Sequence, residues 1–502
     1  MTNRARNLMF LTIVAVGTML RSHDLLRPWI GVHNAWGGAM YGNIARNFVK
    51  YGYWATEFGP VSNGGLVSPD RFEFYYHYPP LLVWLVSASF HMFGVHEWSA
   101  RLVPLMFSTG LMGLIYLVAR QLFSERLALL AMAISAILPI EAYYGSHVDV
   151  YGSIVVFFTT LALLGYARWL VSSHRRDLVL CILGVVLGCM TAWYTFFLVP
   201  LIIGHHRFVH AQHEKPRDRE VWLIALSALA VFVLFLLHRR LLMASGRTEV
   251  HGTLIEKLIL RMGTRASDGQ QTTLMSLVAR QARDFYHLYT IPVVILTAAW
   301  AGFVLKDAVN RRVQGGDWLI LILLGYGFLH NAAFPSFLLG HDFMIVCYVP
   351  GIALAATGAC DRLARTIGHQ WGRTVQVAAM STIALVVLAS ALVSTKRLHD
   401  SDSEYAGSLK RWGDTIRSTS AETDVVLVCS KEDRIFQYYA DRDMIFSVDS
   451  KDKFDSSLER TSAALFVCPA RQTKEHRGLV EYVRIARDRR DLDSLVLVGL
   501  RR

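Results

Sequence analysis

Residues 101–143 read RLVPLMFSTGLMGLIYLVARQLFSERLALLAMAISAILPIEAY. Two apolar runs, 101–121 and 126–143, flank a link carrying Arg120 and Arg126. Each run approaches the ~20 apolar residues a helix needs to cross a bilayer. A short basic link between two such runs is what topology control keeps on the cytoplasmic side. The stretch therefore reads as a membrane helical hairpin, and the same pattern repeats in both directions along the chain.

Further spans are expected at 7–22, 151–171, 178–190, 191–204, 221–238, 290–306, 318–337, 343–360 and 374–395, about eleven in all, and no comparable run follows Lys396. A 502-residue chain that is 53% hydrophobic and 18% charged, with mean hydropathy +0.34, is too apolar to be water-soluble throughout. The net charge of +12 gathers in short links such as Arg168/Arg175/Arg176, Lys306/Arg311/Arg312 and Arg362/Arg365/Arg373. That distribution sets topology; it is not the footprint of nucleic-acid binding. With these links inside, the N-terminus is cytoplasmic. The loops 23–100 and 239–289 and the tail 396–502 then fall on the extracytoplasmic side. Two stretches read in two ways. Residues 79–93 are a span or an interfacial helix, and 178–203 are one tilted span or two short segments; the basic links favour the interfacial helix and the pair. His238-Arg239-Arg240 at an outer helix end runs against this assignment.

The tail alternates strand 424–429, helix 434–441, strand 443–448, helix 452–460, strand 463–468, helix 474–489 and strand 494–499. That order predicts a small α/β layer structure. It lacks a glycine-rich phosphate loop, so no nucleotide is assigned to it. Cys429 and Cys468 each end an expected strand, and a disulfide between them requires adjacent strand ends and an oxidising compartment. The expected fold is thus a polytopic α-helical membrane protein, domain 1–395, with a small C-terminal α/β soluble domain, 396–502.

Candidate functional residues pool on the outer side. The first outer loop holds His33, Asn34, Trp36 and Arg46 among many aromatics, and later Glu73 and His77. An interfacial aromatic belt accounts for the rings but does not require the polar series. Between two spans, Tyr144–Gly152 contains His147 and Asp149; an Asp at a membrane boundary is costly unless solvated, paired or used, and capping the next helix is its plain alternative role. His341 and Asp342 pose the same choice before a later span. Glu141 is expected to reach the interface along its aliphatic stem. Arg280 and Arg283, beside Asp284, suit a lipid-linked phosphate, or are surface charges of an amphipathic helix. No His/Cys group has zinc-ligand spacing, and no serine motif resembles a nucleophile elbow.

The segments Tyr41-Gly42-Asn43-Ile44-Ala45-Arg46-Asn47-Phe48, Tyr78-Pro79-Pro80-Leu81-Leu82-Val83-Trp84-Leu85, Phe93-Gly94-Val95, Arg101-Leu102-Val103-Pro104 and Ala119-Arg120-Gln121-Leu122-Phe123 carry a resemblance. In this order and spacing the chain resembles the GT-C membrane glycosyltransferases, in particular bacterial relatives of protein O-mannosyltransferases and lipid A aminoarabinose transferase. The resemblance implies a multi-pass protein of the inner (plasma) membrane that moves a sugar from a polyprenyl-phosphate carrier to an acceptor at the outer face. Such chemistry needs a base near the acceptor hydroxyl. Family members carry an acid shortly before the Ala-Arg-Asn segment, where this chain has Gly37-Gly38. The base is then His33, Glu73 or Asp149, or the reaction needs none; Asp149 is the best match to an acid in the corresponding later loop, with His33 as a second catalytic candidate. Asn34, Trp36, Arg46, Glu73, His77, His147, Arg280, Arg283, His341 and Asp342 are expected to bind substrate. Relatives occur with and without a divalent cation, and no ligand set in the sequence decides between them. The Gly37-Gly38 departure keeps open a non-catalytic protein that binds lipid-linked glycan or scaffolds envelope enzymes; a transporter fits less well, because intramembrane charges are few.

Overall fold

The computed structural model describes residues 2–29, 33–210, 218–244, 248–249, 253–263, 273–400, 404–431, 433–461, 463–469, 476–486, 489–492 and 495–500. Helices dominate up to residue 400: α1 (Asn3–Arg21), α2 (His33–Tyr51), α3 (Leu81–Phe93), α4 (Glu97–Leu122), α5 (Glu125–Ile137), α6 (Pro139–Tyr144), α7 (Ser153–Ser172), α8 (Arg175–Cys189), α9 (Tyr194–Phe208), α10 (Asp218–Ala244), α11 (Leu254–Met262), α12 (Leu274–Leu288), α13 (Ile291–Val309), α14 (Gly315–Ala333), α15 (Pro335–Gly340) and α16 (Val349–His399). A short parallel pairing joins β1 (Glu73–Phe74) to β2 (Thr248–Glu249).

Every expected span overlaps helix, although 126–143 and 318–337 are each divided between two helices and 343–360 opens on a 3-10 turn. The helices over Glu97–Leu122, Ser153–Ser172, Asp218–Ala244, Ile291–Val309 and Asp342–His399 are long and apolar enough to cross a membrane. Eleven crossings are therefore not established: α5, α8 and α9 run only 13, 15 and 15 residues, short of the ~20 a full span needs. Backbone chemistry explains the breaks. Pro139 has no N–H to continue α5, so α6 starts anew. Gly372, at φ 80° and ψ 171°, splits α16 within the basic link between two expected spans. Residues 178–203 form two helices, α8 and α9, and 79–93 contribute the short α3. Where α7 crosses α8, a Cβ on Gly184 would lie 2.8 Å from the Ala162 Cα. Close backbone approach at small residues is how helices pack where lipid supplies no hydrophobic drive.

Glu141 departs from expectation. It is buried beside Arg21, whose Nε lies 3.2 Å from Glu141 Oε2, and Ser108 Oγ donates to the same oxygen at 2.7 Å. The guanidinium also donates to the carbonyls of Gly17, Ala136 and Ser135. The guanidinium and Oε2 are hydrogen-bonded while Glu141 Oε1 has no hydrogen-bond partner among the described residues, so the paired charge is held in the interior without reaching the interface.

After α17 (Glu404–Thr419) the chain folds as a five-stranded sheet with order β4-β3-β5-β7-β6. Its strands are β3 (Val425–Val428), β4 (Asp443–Ile445), β5 (Ala463–Pro469), β6 (Arg489–Leu492) and β7 (Leu495–Gly499), interleaved with α18 (Arg434–Ala440), α19 (Lys451–Arg460) and α20 (Arg477–Ala486). β3 lies parallel to β4 and β5; β7 runs antiparallel to both β5 and β6. Central β3 is buried along its whole length, which its Val-Val-Leu-Val sequence suits. The expected strand and helix order holds until its last helix, which stops at Ala486 and is followed by the unforeseen edge strand β6. Arg489-Arg490-Asp491 has little strand propensity, yet charge is what an edge strand carries to block further pairing. Cys429 and Cys468, at the ends of neighbouring β3 and β5, are bonded, with Cα atoms 5.1 Å apart.

Candidate functional site

The residues that position the site are those of α2, which packs between α3 and α18. Asn43 Nδ2 donates to the Ser62 and Asn63 carbonyls, and Asn47 Nδ2 to those of Val61 and Asn63. Arg46 pairs with Asp441 at 3.0 Å and donates to the Tyr438 carbonyl; Lys50 meets Asp441 at 2.6 Å. Asn43, Arg46, Asn47 and Lys50 thus clamp α2 to a neighbouring loop and to the α/β unit, and Arg46 takes part in that clamp and does not line the cavity described next. Trp29 seats beside the same helix, its backbone N–H donating to Tyr439 Oη at 2.7 Å. A Cβ on Gly38 would overlap the Trp29 ring, so glycine there has a packing reason.

The clamp presents the start of α2 to a cavity in three adjoining parts. The first, about 210 Å³, is lined by Trp36, Tyr75, His77, Lys257, Arg261, Phe337 and His341, among others. The second, about 140 Å³, shares Trp36, Tyr75, Arg261, Phe337 and His341 and adds Gly37, Tyr41, Tyr78, Asp149, Tyr151 and Phe343. The third, about 270 Å³, is almost wholly apolar: Tyr151, Trp193, Phe196, Phe197, Phe232, Leu254, Leu258 and Phe334 surround it. Arg261 lines all three. Its guanidinium lies 4.8 Å from the ring centres of Tyr78 and Phe337, and among the described residues no carboxylate forms an ion pair with it. A cation held by aromatic faces keeps its hydrogen-bond donors available for an anion.

Asp149 stands across this cavity. Oδ1 accepts the Tyr151 backbone N–H at 2.8 Å in an Asx turn, while the cap of α7 is Gly152, without a side-chain bond. Asp149 is therefore not the cap of that helix. A Cβ on Gly37 would lie 3.3 Å from Asp149 Oδ2 and 3.4 Å from the Val148 carbonyl, so an absent side chain on α2 leaves that oxygen room. Burial raises the Asp149 carboxyl from 3.8 to about 7, with the Tyr151 N–H and the Arg261 charge pulling the other way. His147 Nε2 sits 3.9 Å from Oδ2, its ring packed against Tyr144 and Phe343.

Of the residues singled out in the sequence, Asp149, Trp36, His77 and His341 line the cavity. His147 backs Asp149. Asp342 accepts Tyr144 Oη at 2.7 Å and lies behind the lining. Arg280 and Arg283 lie 2.7 and 3.8 Å from buried Asp284 on α12 and do not line the cavity. Glu73 is exposed on β1. His33 and Asn34 open α2, but their side chains lie outside the described residues. Sequence reading missed Arg261 and Tyr75, and gave no role to Tyr41, Tyr78 and Tyr151 in the segments it singled out. For Arg261 a signal existed: Thr253 and Glu256 form a capping box that starts an amphipathic helix, and Leu254, Leu258 and Arg261 fall on one face of it.

Residues 77–238 match the family described as dolichyl-phosphate-mannose-protein mannosyltransferase. No curated protein matches the chain. Among solved structures, ArnT from Cupriavidus metallidurans bound to undecaprenyl phosphate is similar at TM-score 0.66, over 99% of this chain and 98% of that one, with 15% identity. The apo oligosaccharyltransferase of Archaeoglobus fulgidus gives 0.61 over 94% and 70%, at 14% identity. The same organism's AglB with an inhibitory peptide and a dolichol-phosphate gives 0.59 over 92% and 69%, at 14% identity. At these identities the likeness is one of fold. Matched segment and shared fold agree: the chain has the fold of these membrane transferases, and the segment similar to the mannosyltransferase family lies within it.

Proposed function

We propose that the chain is a glycosyltransferase of the inner (plasma) membrane that takes a sugar from a polyprenyl-phosphate-linked donor and passes it to an acceptor at the extracytoplasmic face. The observation that carries this reading is the meeting of an apolar chamber and a polar one at a single arginine, Arg261. The apolar chamber, bounded by Trp193, Phe196, Phe197 and Phe232, suits an isoprenoid chain. Arg261 suits its phosphate, in the place expected of Arg280 and Arg283. The aromatic and polar walls around Trp36, Tyr75, His77 and His341 suit a sugar ring and an acceptor.

In the reaction so proposed, the acceptor hydroxyl loses its proton to Asp149 as its oxygen attacks the anomeric carbon. The bond from that carbon to the phosphate oxygen breaks, and polyprenyl phosphate leaves with its new charge against Arg261. A base works best with a pKa near the operating pH, which a buried Asp149 meets. The disulfide between Cys429 and Cys468 supports an oxidising, extracytoplasmic setting for the α/β unit. The rival reading, a non-catalytic binder of lipid-linked glycan, drew on Gly37-Gly38; a packing role for Gly38 and an Asp149 facing Gly37 weaken it. Purified protein in detergent, given radiolabelled polyprenyl-phosphate sugars and candidate acceptors, is expected to transfer label. Lipid binding without transfer for every sugar tested would favour the binder.

A further inference from the structure

Away from the cavity, the chain leaving α1 meets the last residue of α16. His23 Nδ1 lies 2.8 Å from Asp24 Oδ1, and His399 Nδ1 lies 3.4 Å from Asp24 Oδ2. The two imidazole rings are 3.8 Å apart between centres. One donor atom from each of the three side chains falls within 4.8 Å of the others, the one such group found among the described residues. His399 is only 10% exposed, and both its ring nitrogens lack an aligned hydrogen-bond partner. Imidazole nitrogens buried in this way are costly unless something occupies them.

We propose that His23, Asp24 and His399 bind a divalent transition-metal cation of the zinc class, with water completing the shell. Two imidazole nitrogens and one carboxylate oxygen are the borderline donor set such an ion prefers, and a small inward movement brings donors to the ~2.0–2.2 Å it requires. The competing cation is Arg27, whose Nη1 lies 3.2 Å from Asp24 Oδ1, and a bound metal must displace it from that oxygen or take Oδ2. The ligands come from opposite ends of the helical region, so the ion acts as a clasp. It ties the outer end of α1 to the point where the chain leaves α16 for the α/β unit. Sequence spacing hides such a site because His399 stands so far from His23 and Asp24 along the chain. None of the three residues lines the cavity, and the inference does not rest on sugar transfer.

The test uses the full chain in detergent, with any affinity tag removed and metal stripped, titrated with zinc or cobalt chloride. One equivalent retained after desalting, a visible cobalt absorption band and a raised melting temperature are expected. His399→Ala and Asp24→Asn should abolish all three. His23→Ala, at an exposed position, should leave the metal-free melting temperature unchanged and weaken binding at least about tenfold, so the answer stands even if His399→Ala fails to fold. No retained metal, or one equivalent retained equally by wild type and His23→Ala, overturns the proposal.

Discussion

Replacing Asp149 by Asn should slow transfer while making the protein more stable, and the structure fixes both signs. Folded Asp149 keeps its proton up to about pH 7, whereas the same side chain in an unfolded chain releases it near 3.8. Between those values the folded state binds the extra proton, so stability falls as pH rises through this window. At full ionisation the penalty reaches about 4 kcal/mol, at 1.36 kcal/mol per pH unit. Asn carries no charge and escapes it, so Asp149→Asn should melt above wild type at pH 8 and close to it at pH 4. Its transfer rate should drop by about 10²- to 10⁴-fold with the loss of a general base. In the wild type, about a tenth of the sites are ionised at pH 6 and about nine tenths at pH 8, so the rate should climb about ninefold across that interval. Initial rates with labelled donor, alongside melting curves in the same detergent, give every quantity. A variant rate within about threefold of wild type, or a flat profile from pH 6 to 8, would refute the role given to Asp149.

Arg261→Ala should weaken polyprenyl-phosphate binding by about 10- to 100-fold, the worth of a charged hydrogen-bonding partner, measured by competition with labelled lipid; Arg280→Ala should change it little. Asp441→Asn leaves Arg46 and Lys50 without the carboxylate they share and should cost about 3 kcal/mol, read as a lowered melting temperature. Cys429→Ser opens a disulfide between residues 39 apart and should cost about 4 kcal/mol on the loop-entropy account, with wild-type protein under reducing conditions showing the same loss.

The helices were legible because each expected span was announced by a run of apolar residues bounded by charge, and the α/β unit because its strands and helices differ in period. Edge strand β6 was hidden by its charge, and the break at Pro139 fell inside a continuous apolar run. At the site, Asp149 was legible because a carboxylate at a membrane boundary is costly enough to be noticed alone. The pairing of Arg46 was not legible for the opposite reason: its partner, Asp441, lies nearly 400 residues away, and no local pattern encodes that meeting. Arg261 was overlooked because its value comes from the rings of Tyr78 and Phe337, which only folding brings to it. Glu141 has the pattern of a residue reaching for water, because Arg21, its partner, meets it only in the folded chain.

The seating of α2 against α18 makes the C-terminal unit something other than a detachable appendage. Trp36, Gly37 and Tyr41 belong to a helix whose outer flank is a wall built from the far end of the polypeptide. A shortened protein ending near residue 400 would keep every membrane-crossing helix and still lose one side of the mould that shapes its own binding chamber. Exchanging this tail between related chains would therefore be a way of reshaping what the chamber accepts, without touching a residue that lines it.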